Sequence, residues 1–230
     1  VGYLWEQIVD YLNKYRFYSR RKGKIAFPQI LDERWGLLLG ILVGDGTWAS
    51  YDGIEVAGGC EEFREILEKF IDSLFGYHYL YREITAHSTC PEFPWKIKVN
   101  SLLLRRFLNH LGYDYSLPRE KHVPWSILDS PKSVVAAFLS GFFETDGGTE
   151  RFGHTISACT VSKRLATEIQ LLLLNFGITS SVRYKHNETR SAYIIRIRGF
   201  ESRKLFYDQI GFISNRKQNL LKLGLEKGKD

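Results

Sequence analysis

The chain has 230 residues, which suffices for one large domain or for two compact halves of roughly a hundred residues each. Apolar residues make up 44% and charged residues 25%, a balance that indicates a folded soluble protein and excludes a disordered or collagen-like chain. The 32 Lys and Arg outnumber the 26 Asp and Glu, and the resulting net charge of +6 predicts a polyanionic partner.

The cysteines and the hydropathy pattern indicate the kind of cellular compartment in which the protein is expected. Cys60, Cys90 and Cys159 are odd in number and widely spaced, so they predict neither a disulfide framework nor a Cys-x-x-Cys metal site. This usage favours a reducing compartment, cytoplasmic or organellar. The longest apolar run, residues 36–44, is too short to cross a bilayer, and no secretion signal opens the chain, so no membrane partner is expected. The absence of methionine, even at position 1, suggests a processed chain or a segment of a longer polypeptide.

Residues 1–30 are predicted to form an N-terminal helix followed by a basic arm. Apolar residues recur at helical spacing from Leu4 to Tyr15, and basic residues dominate positions 20–24. A first lobe is predicted over residues 31–113. Its elements are an apolar helix at 33–43, hairpin strands at 48–50 and 54–57, an amphipathic helix that ends at Gly76, strands at 79–84 and 95–99, and a last helix at 102–111.

A linker with three prolines is predicted over residues 114–131 and a second lobe over residues 132–230. The second lobe repeats the first, because Asp146 follows Asp45 by 101 residues and Gly177 follows Gly76 by the same number. Its predicted elements are a helix at 133–144, strands at 149–152 and 155–158, a helix that ends at Gly177, strands at 181–185 and 193–198, and a helix at 202–210. The repeat predicts an α+β fold of two pseudo-symmetric αββαββα lobes. Each lobe is a curved antiparallel sheet backed by helices, and the lobes are joined at their first helices.

Those first helices, the motif helices, each end in an aspartate, Asp45 or Asp146. A carboxylate at a helix C-terminus meets the negative end of the helix dipole, which costs about 0.3–1 kcal/mol. Two such carboxylates brought together repel each other unless a cation neutralises them, and oxygen ligands of this kind suit Mg²⁺. Taken alone, either motif is typical of an ordinary helix stop; the matched pair favours a catalytic metal site.

Small residues recur one turn apart in both motif helices, at Gly40 and Gly44 and at Gly141 and Thr145. This spacing lets two helix backbones approach closely. Packing of the two helices on each other is the arrangement that would bring the two aspartates together.

Basic residues alternate with apolar residues along the predicted strands, so that each strand offers one basic face. A sheet with such a face fits the major groove of double-stranded DNA, where some basic side chains read bases and others hold phosphates. The predicted DNA-binding pairs are Lys96 with Lys98, Arg183 with Lys185, and Arg196 with Arg198.

The segments LLGILVGDG, ending at Gly46, and LSGFFETDG, ending at Gly147, resemble the two motif copies of the LAGLIDADG homing endonucleases in their single-chain, two-lobe form. The block from Lys121 to Pro124 is similar to one found in intein endonuclease domains of that family. The second-lobe segment 161–178 and the segment 210–212 with Lys217 are also similar to family blocks.

This resemblance implies a monomeric, site-specific endonuclease that hydrolyses both strands of a long DNA target and leaves staggered ends. Two or three Mg²⁺ ions, with Mn²⁺ or Ca²⁺ as substitutes, would support two-metal hydrolysis. Lys121 and Lys217 would be catalytic beside the cleft, where they stabilise charge on phosphate or position water. The implied metal-binding residues are Asp45 and Asp146, each with its preceding neighbour, Gly44 or Thr145.

The chain departs from the family pattern at two places. The often acidic sixth position of the motif is Val43 in one copy and Glu144 in the other. After the first strand pair the family often has Gln or a basic residue; Lys163 meets this expectation as a DNA-binding residue, whereas the first lobe has Glu62. Equal chemistry at the two half-sites is therefore not implied. An RNA maturase and a catalytically inactive DNA-binding protein on the same scaffold are the alternatives, and a source gene within an intron or an intein fits equally.

Overall fold

The computed structural model describes residues 27–49, 53–57, 59–76, 78–82, 95–114, 117–186 and 191–227. The predicted N-terminal helix and the basic run at 20–24 lie outside these residues. Within them, no helix is long and apolar enough to cross a membrane.

The chain folds as two helix-and-sheet lobes in succession. The first contains α1 (Glu33–Asp45), β1 (Gly46–Ala49), β2 (Gly53–Ala57), α2 (Glu61–Phe75), β3 (Tyr79–Arg82), β4 (Trp95–Asn100) and α3 (Leu102–His110). A one-turn helix α4 (Trp125–Leu128) precedes the second lobe. That lobe contains α5 (Lys132–Asp146), β5 (Gly147–Glu150), β6 (Thr155–Thr160), α6 (Lys163–Asn175), β7 (Ser180–His186), β8 (Ser191–Ile197), α7 (Phe200–Gln209) and α8 (Asn215–Glu226). The predicted α+β class and the αββαββα order of each lobe are confirmed, and α8 is an addition that the sequence analysis missed.

Among the described residues, each lobe has one antiparallel four-stranded sheet. The strand orders are β1-β2-β4-β3 and β5-β6-β8-β7, so the second and fourth strands form the centre of each sheet. Val56 pairs with Ile97 in the first sheet, and Ile156 pairs with Ile197 in the second. These side chains are buried against the helices because alternate residues of a strand share one face. The opposite face of each sheet is therefore left for polar and charged residues.

The motif helices α1 and α5 pack directly against each other and form the joint between the lobes, as predicted. Glycine permits this contact: a Cβ added at Gly40 would lie 2.0 Å from the Phe138 carbonyl oxygen, and one added at Gly141 would lie 2.5 Å from the Leu37 carbonyl oxygen. Only backbones without side chains approach this closely. The small residues of the motif are thus a packing requirement of the interface.

Helix α8 lies against the second lobe and is held by a buried arginine. Arg203 of α7 is fully buried, and its Nη1 donates to the carbonyl oxygens of Gly153 and Gly224, each at 3.2 Å. Gly224 is a residue of α8, and an added Cβ there would lie 2.4 Å from the Gly153 backbone. The position of α8 is consequently fixed at its C-terminal half by backbone contact.

Several element boundaries differ from the predictions by one or two residues, and three of the differences concern residues near the motif helices or the predicted basic face. The motif helices continue to Asp45 and Asp146, two residues beyond their predicted ends. Phe152, predicted as strand, lies in a 3₁₀ turn with a φ of 57°. Strand β8 ends at Ile197, so Arg198 lies beyond it. An Asp-Gly dipeptide indicates that a helix ends nearby. The exact last residue depends on tertiary packing, which the spacing of apolar residues does not predict.

Candidate active site

The C-terminal ends of the two motif helices meet at the lobe interface and place an aspartate on each side. Asp45 and Asp146 are the last residues of α1 and α5. A Cβ added at Gly44 would lie 1.9 Å from Thr145 Oγ1 and 3.6 Å from the Asp146 nitrogen, so the two helix ends are in contact. Asp45 exposes more of its surface than Asp146, although the carboxyl groups of both lie among protein atoms.

The two carboxyl groups affect each other's ionisation. Burial raises the pKa of Asp146 to about 7, and the negative charge of Asp45 acts in the same direction. Burial also raises the pKa of Asp45. Lys121 and Lys217 oppose both shifts. The site therefore combines two carboxyl groups that resist joint ionisation with two lysines that partly offset their repulsion.

Lys121 lies at the end of the first motif helix. Its Nζ donates to the carbonyl oxygens of Val43, at 2.8 Å, and Gly44, at 2.7 Å. The last carbonyls of a helix have no partner within the helix, and a cation there also meets the negative end of the dipole. Lys121 thus caps α1 one residue before Asp45.

Lys217 occupies the matching place at the end of the second motif helix. Its Nζ donates to the carbonyl oxygens of Glu144 and Gly147, the latter at 2.8 Å, and lies 3.6 Å from Glu144 Oε1. Burial lowers the pKa of Lys217, and the neighbouring Glu144 carboxylate opposes that shift. The two lysines are therefore brought to equivalent positions, although one lies in the linker region and the other in α8.

Glu144 has a partner set that the sequence analysis missed. It is buried, and its carboxylate accepts hydrogen bonds from Ile213 N at 2.8 Å, Ser214 N at 3.0 Å and Ser214 Oγ at 2.8 Å. These bonds fix the turn that leads into α8 and hence Lys217. The position of Glu144 within an apolar helix could have indicated these bonds, because a buried carboxylate requires hydrogen-bond donors.

The oxygen donors at the helix ends fit a magnesium ion better than a transition metal. Carboxylates are hard ligands, and magnesium typically uses one or two of them together with water and phosphate oxygens. Within the described ranges, no group of three or more His, Cys, Asp or Glu side chains offers a closed metal cage. The Gly44 carbonyl accepts from Lys121 but keeps a second lone pair. The Thr145 hydroxyl instead donates to Gly141 and Phe142 carbonyls of its own helix, each at 3.1 Å.

The predicted basic residues of the first sheet share its solvent-facing side. Lys96 and Lys98 alternate with buried Ile97 and Val99 along β4. Lys96 forms an ion pair with Glu55 of the adjacent strand, at 3.0 Å. The face is therefore of mixed charge.

The second sheet carries a similar face. Arg183 and Lys185 are exposed on β7, and Arg196 of β8 is paired with Ser181 of β7, which places all three on one side. The Arg196 Nε lies 3.9 Å from Glu150 Oε1. Lys163 is exposed at the first position of α6. Because Arg198 follows the end of β8, the sheet pairing does not place it on this face.

Comparison with known proteins agrees with this geometry. The LAGLIDADG-like domain family matches residues 133–211, which include most of the second motif helix and its sheet. The replication factor C small subunit of Methanocaldococcus jannaschii is 32% identical over 204 residues, which cover 84% of this chain and 11% of that protein. The replicative DNA helicase DnaB of Synechocystis is 25% identical over 238 residues, which cover 93% of this chain and 26% of that protein. The chain thus spans about a tenth to a quarter of the length of these relatives.

Solved structures share the fold at low identity. The homing endonuclease I-DmoI in complex with DNA and Mn has a TM-score of 0.57 and 15% identity, covering 77% of this chain and 96% of its own. The homing endonuclease I-WcaI bound to its DNA recognition sequence has a TM-score of 0.56 and 15% identity, covering 84% and 87%. The N-terminal LAGLIDADG domain of DUF199/WhiA has a TM-score of 0.52 and 17% identity, covering 92% and 94%. Two motif helices packed at the joint of two similar lobes give this chain the fold of these structures, and residues 133–211 belong to the LAGLIDADG-like domain family.

Proposed function

We propose that this protein is a site-specific endonuclease that hydrolyses both strands of a long double-stranded DNA target with the help of Mg²⁺ and leaves staggered ends. One observation carries the proposal: Asp45 and Asp146 come together at the ends of packed motif helices, each with a lysine at the adjacent carbonyls. A purely DNA-binding scaffold has no need for two carboxyl groups whose ionisation is mutually unfavourable.

Asp45 and Asp146, with the Gly44 carbonyl, are the groups that would hold Mg²⁺, and Mn²⁺ or Ca²⁺ would suit the same donors. When bound, such ions polarise the scissile phosphate and assist water and leaving group. In their ionised form, Asp45 and Asp146 are the groups that fix the cleavage point relative to the lobe interface. Thr145 contributes through its backbone alone, because its hydroxyl is engaged within α5.

Lys121 and Lys217 are proposed to supply positive charge beside the two scissile phosphates. Both ammonium groups are held by two backbone carbonyls rather than paired solely with a carboxylate. This arrangement leaves their positive charge available to stabilise developing charge on phosphate. The lowered pKa of Lys217 also makes its proton easier to move than that of an exposed lysine.

The solvent-facing sides of the two sheets are proposed to lie in successive major grooves. The five basic residues fixed there by strand register are Lys96, Lys98, Arg183, Lys185 and Arg196. Arg198 and Lys163 are proposed phosphate contacts outside the sheets. With both motifs in one chain, a monomer supplies both half-sites.

We infer that the homologous segment is a mobile insertion of the intein kind. The chain aligns over 84% of its own length with part of a replication factor and over 93% with part of a helicase. It also aligns over 93% of its length with part of an elongation factor 2 from Methanopyrus kandleri. One segment shared by proteins of unrelated function fits a homing element carried within coding sequence.

The nuclease proposal is tested with a randomised library of double-stranded DNA, Mg²⁺ and the purified chain, followed by sequencing of cut ends. We expect one long consensus site, cut on both strands, and no cutting by the variants Asp45→Asn and Asp146→Asn. Binding of a consensus site without cleavage in Mg²⁺ or Mn²⁺ would overturn the nuclease assignment and leave a DNA-binding protein. Selective binding of structured RNA would support a maturase instead.

A further inference from the structure

The backbone that carries each active-site lysine is held by a carboxylate from the lobe on the other side of the motif interface. Lys217 contacts the end of α5 in the second lobe, yet its helix α8 begins against Glu62 of α2 in the first lobe. Asn215 N donates to Glu62 Oε1 at 2.7 Å, and Arg216 N donates to Glu62 Oε2 at 3.3 Å.

This contact replaces the usual cap of α8. Ser214 is the N-cap residue, but its side chain makes no cap hydrogen bond and donates instead to Glu144 Oε1 at 2.8 Å. The first backbone N–H groups of a helix lack partners within the helix and carry partial positive charge, so a carboxylate is a favourable acceptor there. Glu62 therefore anchors the residues immediately before Lys217.

The same arrangement recurs on the other side, with the lobes exchanged. Lys121 contacts the end of α1 in the first lobe, while its own segment is held by α6 of the second. Val123 N donates to Glu168 Oε2 at 2.7 Å, and the Lys121 carbonyl accepts from Ser162 Oγ at 2.6 Å. Helices α2 and α6 are counterparts in the repeat, so each lysine segment is held by a carboxylate of the equivalent helix, although Glu62 and Glu168 occupy different positions within those helices.

We propose that Glu62 and Glu168 are positioning residues that fix Lys217 and Lys121, respectively, across the lobe interface. The inference rests on the proposed nuclease function and adds two residues to it. Each lysine is thereby held between a motif helix of one lobe and a carboxylate of the other. A change in the angle between the lobes would consequently move the lysines. Cleavage of each DNA strand would also depend on a different carboxylate.

The test is strand-resolved cleavage of a target labelled on both strands, under single-turnover conditions. Lys217→Met is expected to slow cleavage of one DNA strand. Glu62→Ala should slow cleavage of that same strand by about tenfold, because a displacement of about 1 Å is costly in catalysis. Glu168→Ala is expected to slow the strand that Lys121→Met slows. Glu62→Gln, which keeps one acceptor oxygen, should recover part of the rate. DNA affinity in Ca²⁺ should stay within about twofold of wild type, since none of these carboxylates lies on the sheet faces.

Two controls lie on the same helices. Glu65 of α2 and Thr167 of α6 are exposed and contact neither lysine segment, so Glu65→Ala and Thr167→Ala should cleave both strands at the wild-type rate. Equal slowing of both strands by Glu62→Ala, or slowing of the strand that does not depend on Lys217, would overturn the inference. A loss of stability alone would lower both rates together.

A second readout separates this inference from the nuclease proposal, because it needs no cleavage. Amine acetylation followed by mass spectrometry reports how exposed each lysine is in the intact protein. Glu62→Ala is expected to raise the labelling rate of Lys217 severalfold and leave Lys121 unchanged, and Glu168→Ala to do the reverse. If wild type cleaves no DNA, the nuclease proposal fails while these labelling changes still support the positioning role. Unchanged labelling of both lysines would refute that role.

Discussion

At the scale of single residues, the aspartates of the site oppose folding when both are ionised. The pKa of Asp146 in the folded chain is about 7, raised first by burial and then by Asp45, whereas an aspartate in an unfolded chain ionises near pH 4. The folded state therefore binds a proton that the unfolded state releases. Its contribution to stability is complete below pH 4 and is lost as the pH rises through about 7.

Replacement of this carboxyl group should stabilise the metal-free protein. We expect Asp146→Asn to increase the free energy of unfolding by about 1–2 kcal/mol at pH 8 and to have almost no effect at pH 4. Urea denaturation in the presence of EDTA at the two pH values measures this difference. Asp208→Asn is the control, because Asp208 is exposed and, among the described residues, forms its ion pair with Lys204 on the surface. An equal effect of Asp146→Asn at both pH values would contradict the assigned ionisation.

The same ionisation predicts a pH profile for cleavage. If Asp146 holds Mg²⁺ as proposed, its protonation would remove that ligand, so the single-turnover rate at subsaturating Mg²⁺ should fall about tenfold per pH unit below pH 7. Raising the Mg²⁺ concentration should shift the midpoint to lower pH, because metal and proton compete for one group. A rate that stays constant from pH 5 to pH 8 would exclude Asp146 as a titrating ligand.

The repeat in the sequence predicts the positions of some residues of the candidate site, whereas the positions of others depend on tertiary structure. Asp45 and Asp146 were predictable because each ends a copy of the same helix, and duplication placed both at one joint. The contact of Glu62 with Asn215 spans 153 residues and joins two lobes. The spacing of apolar residues predicts only which side of a single helix or strand is buried. Hydrogen bonds between residues so far apart in the sequence therefore cannot be predicted from it.

At the scale of elements, the close crossing of α1 and α5 sets the distance between the two aspartates. A Cβ at Gly40 would lie 2.0 Å from the Phe138 carbonyl oxygen, which is backbone and cannot turn aside. Gly40→Ala should therefore separate the helices and lower the free energy of unfolding by about 1–3 kcal/mol, as overpacking does in other cores. It should also reduce cleavage of both strands together.

Gly148→Ala is the matched control, because a Cβ there meets no atom within 4 Å. Its thermal unfolding should stay close to that of wild type. If Gly40→Ala were as stable as Gly148→Ala, the two motif helices would not pack at the described distance in solution. Differential scanning calorimetry of the three proteins decides between these outcomes.

The elements themselves were largely predictable, and the exceptions have physical reasons. Apolar spacing identified α2 and α6, since each buries one face, and the nearly continuous apolar sequences of α1 and α5 identified the two motif helices, which are buried on most sides. Helix α8 was missed because it is mostly polar and owes its place to Arg203 and to the Gly153–Gly224 contact. Strand ends were displaced by a residue or two, because pairing with neighbours decides where a strand stops.

At the scale of the whole molecule, the solvent-facing sides of the two sheets differ in their charged residues. The first pairs Lys96 with Glu55, whereas the second exposes Arg183 and Lys185 with no ion pair of theirs among the described contacts. Under the proposed function, the two lobes joined at the motif helices would both contact one DNA target. The free energy of DNA binding should accordingly be shared unequally, with more phosphate contact from the second lobe.

Salt dependence measures this sharing directly. Binding of the target in Ca²⁺ should weaken linearly in a log–log plot against salt, with a slope of about −0.9 for each phosphate neutralised. The double variant Arg183→Ala and Lys185→Ala should lower the slope by roughly 1–2, whereas Lys204→Ala should leave it unchanged, because Lys204 lies on α7 and pairs with Asp208. Fluorescence anisotropy between about 50 and 200 mM salt covers the useful range. An unchanged slope in the double variant would show that β7 lies outside the groove, and a slope near zero for wild type would remove the sheet faces from DNA binding altogether.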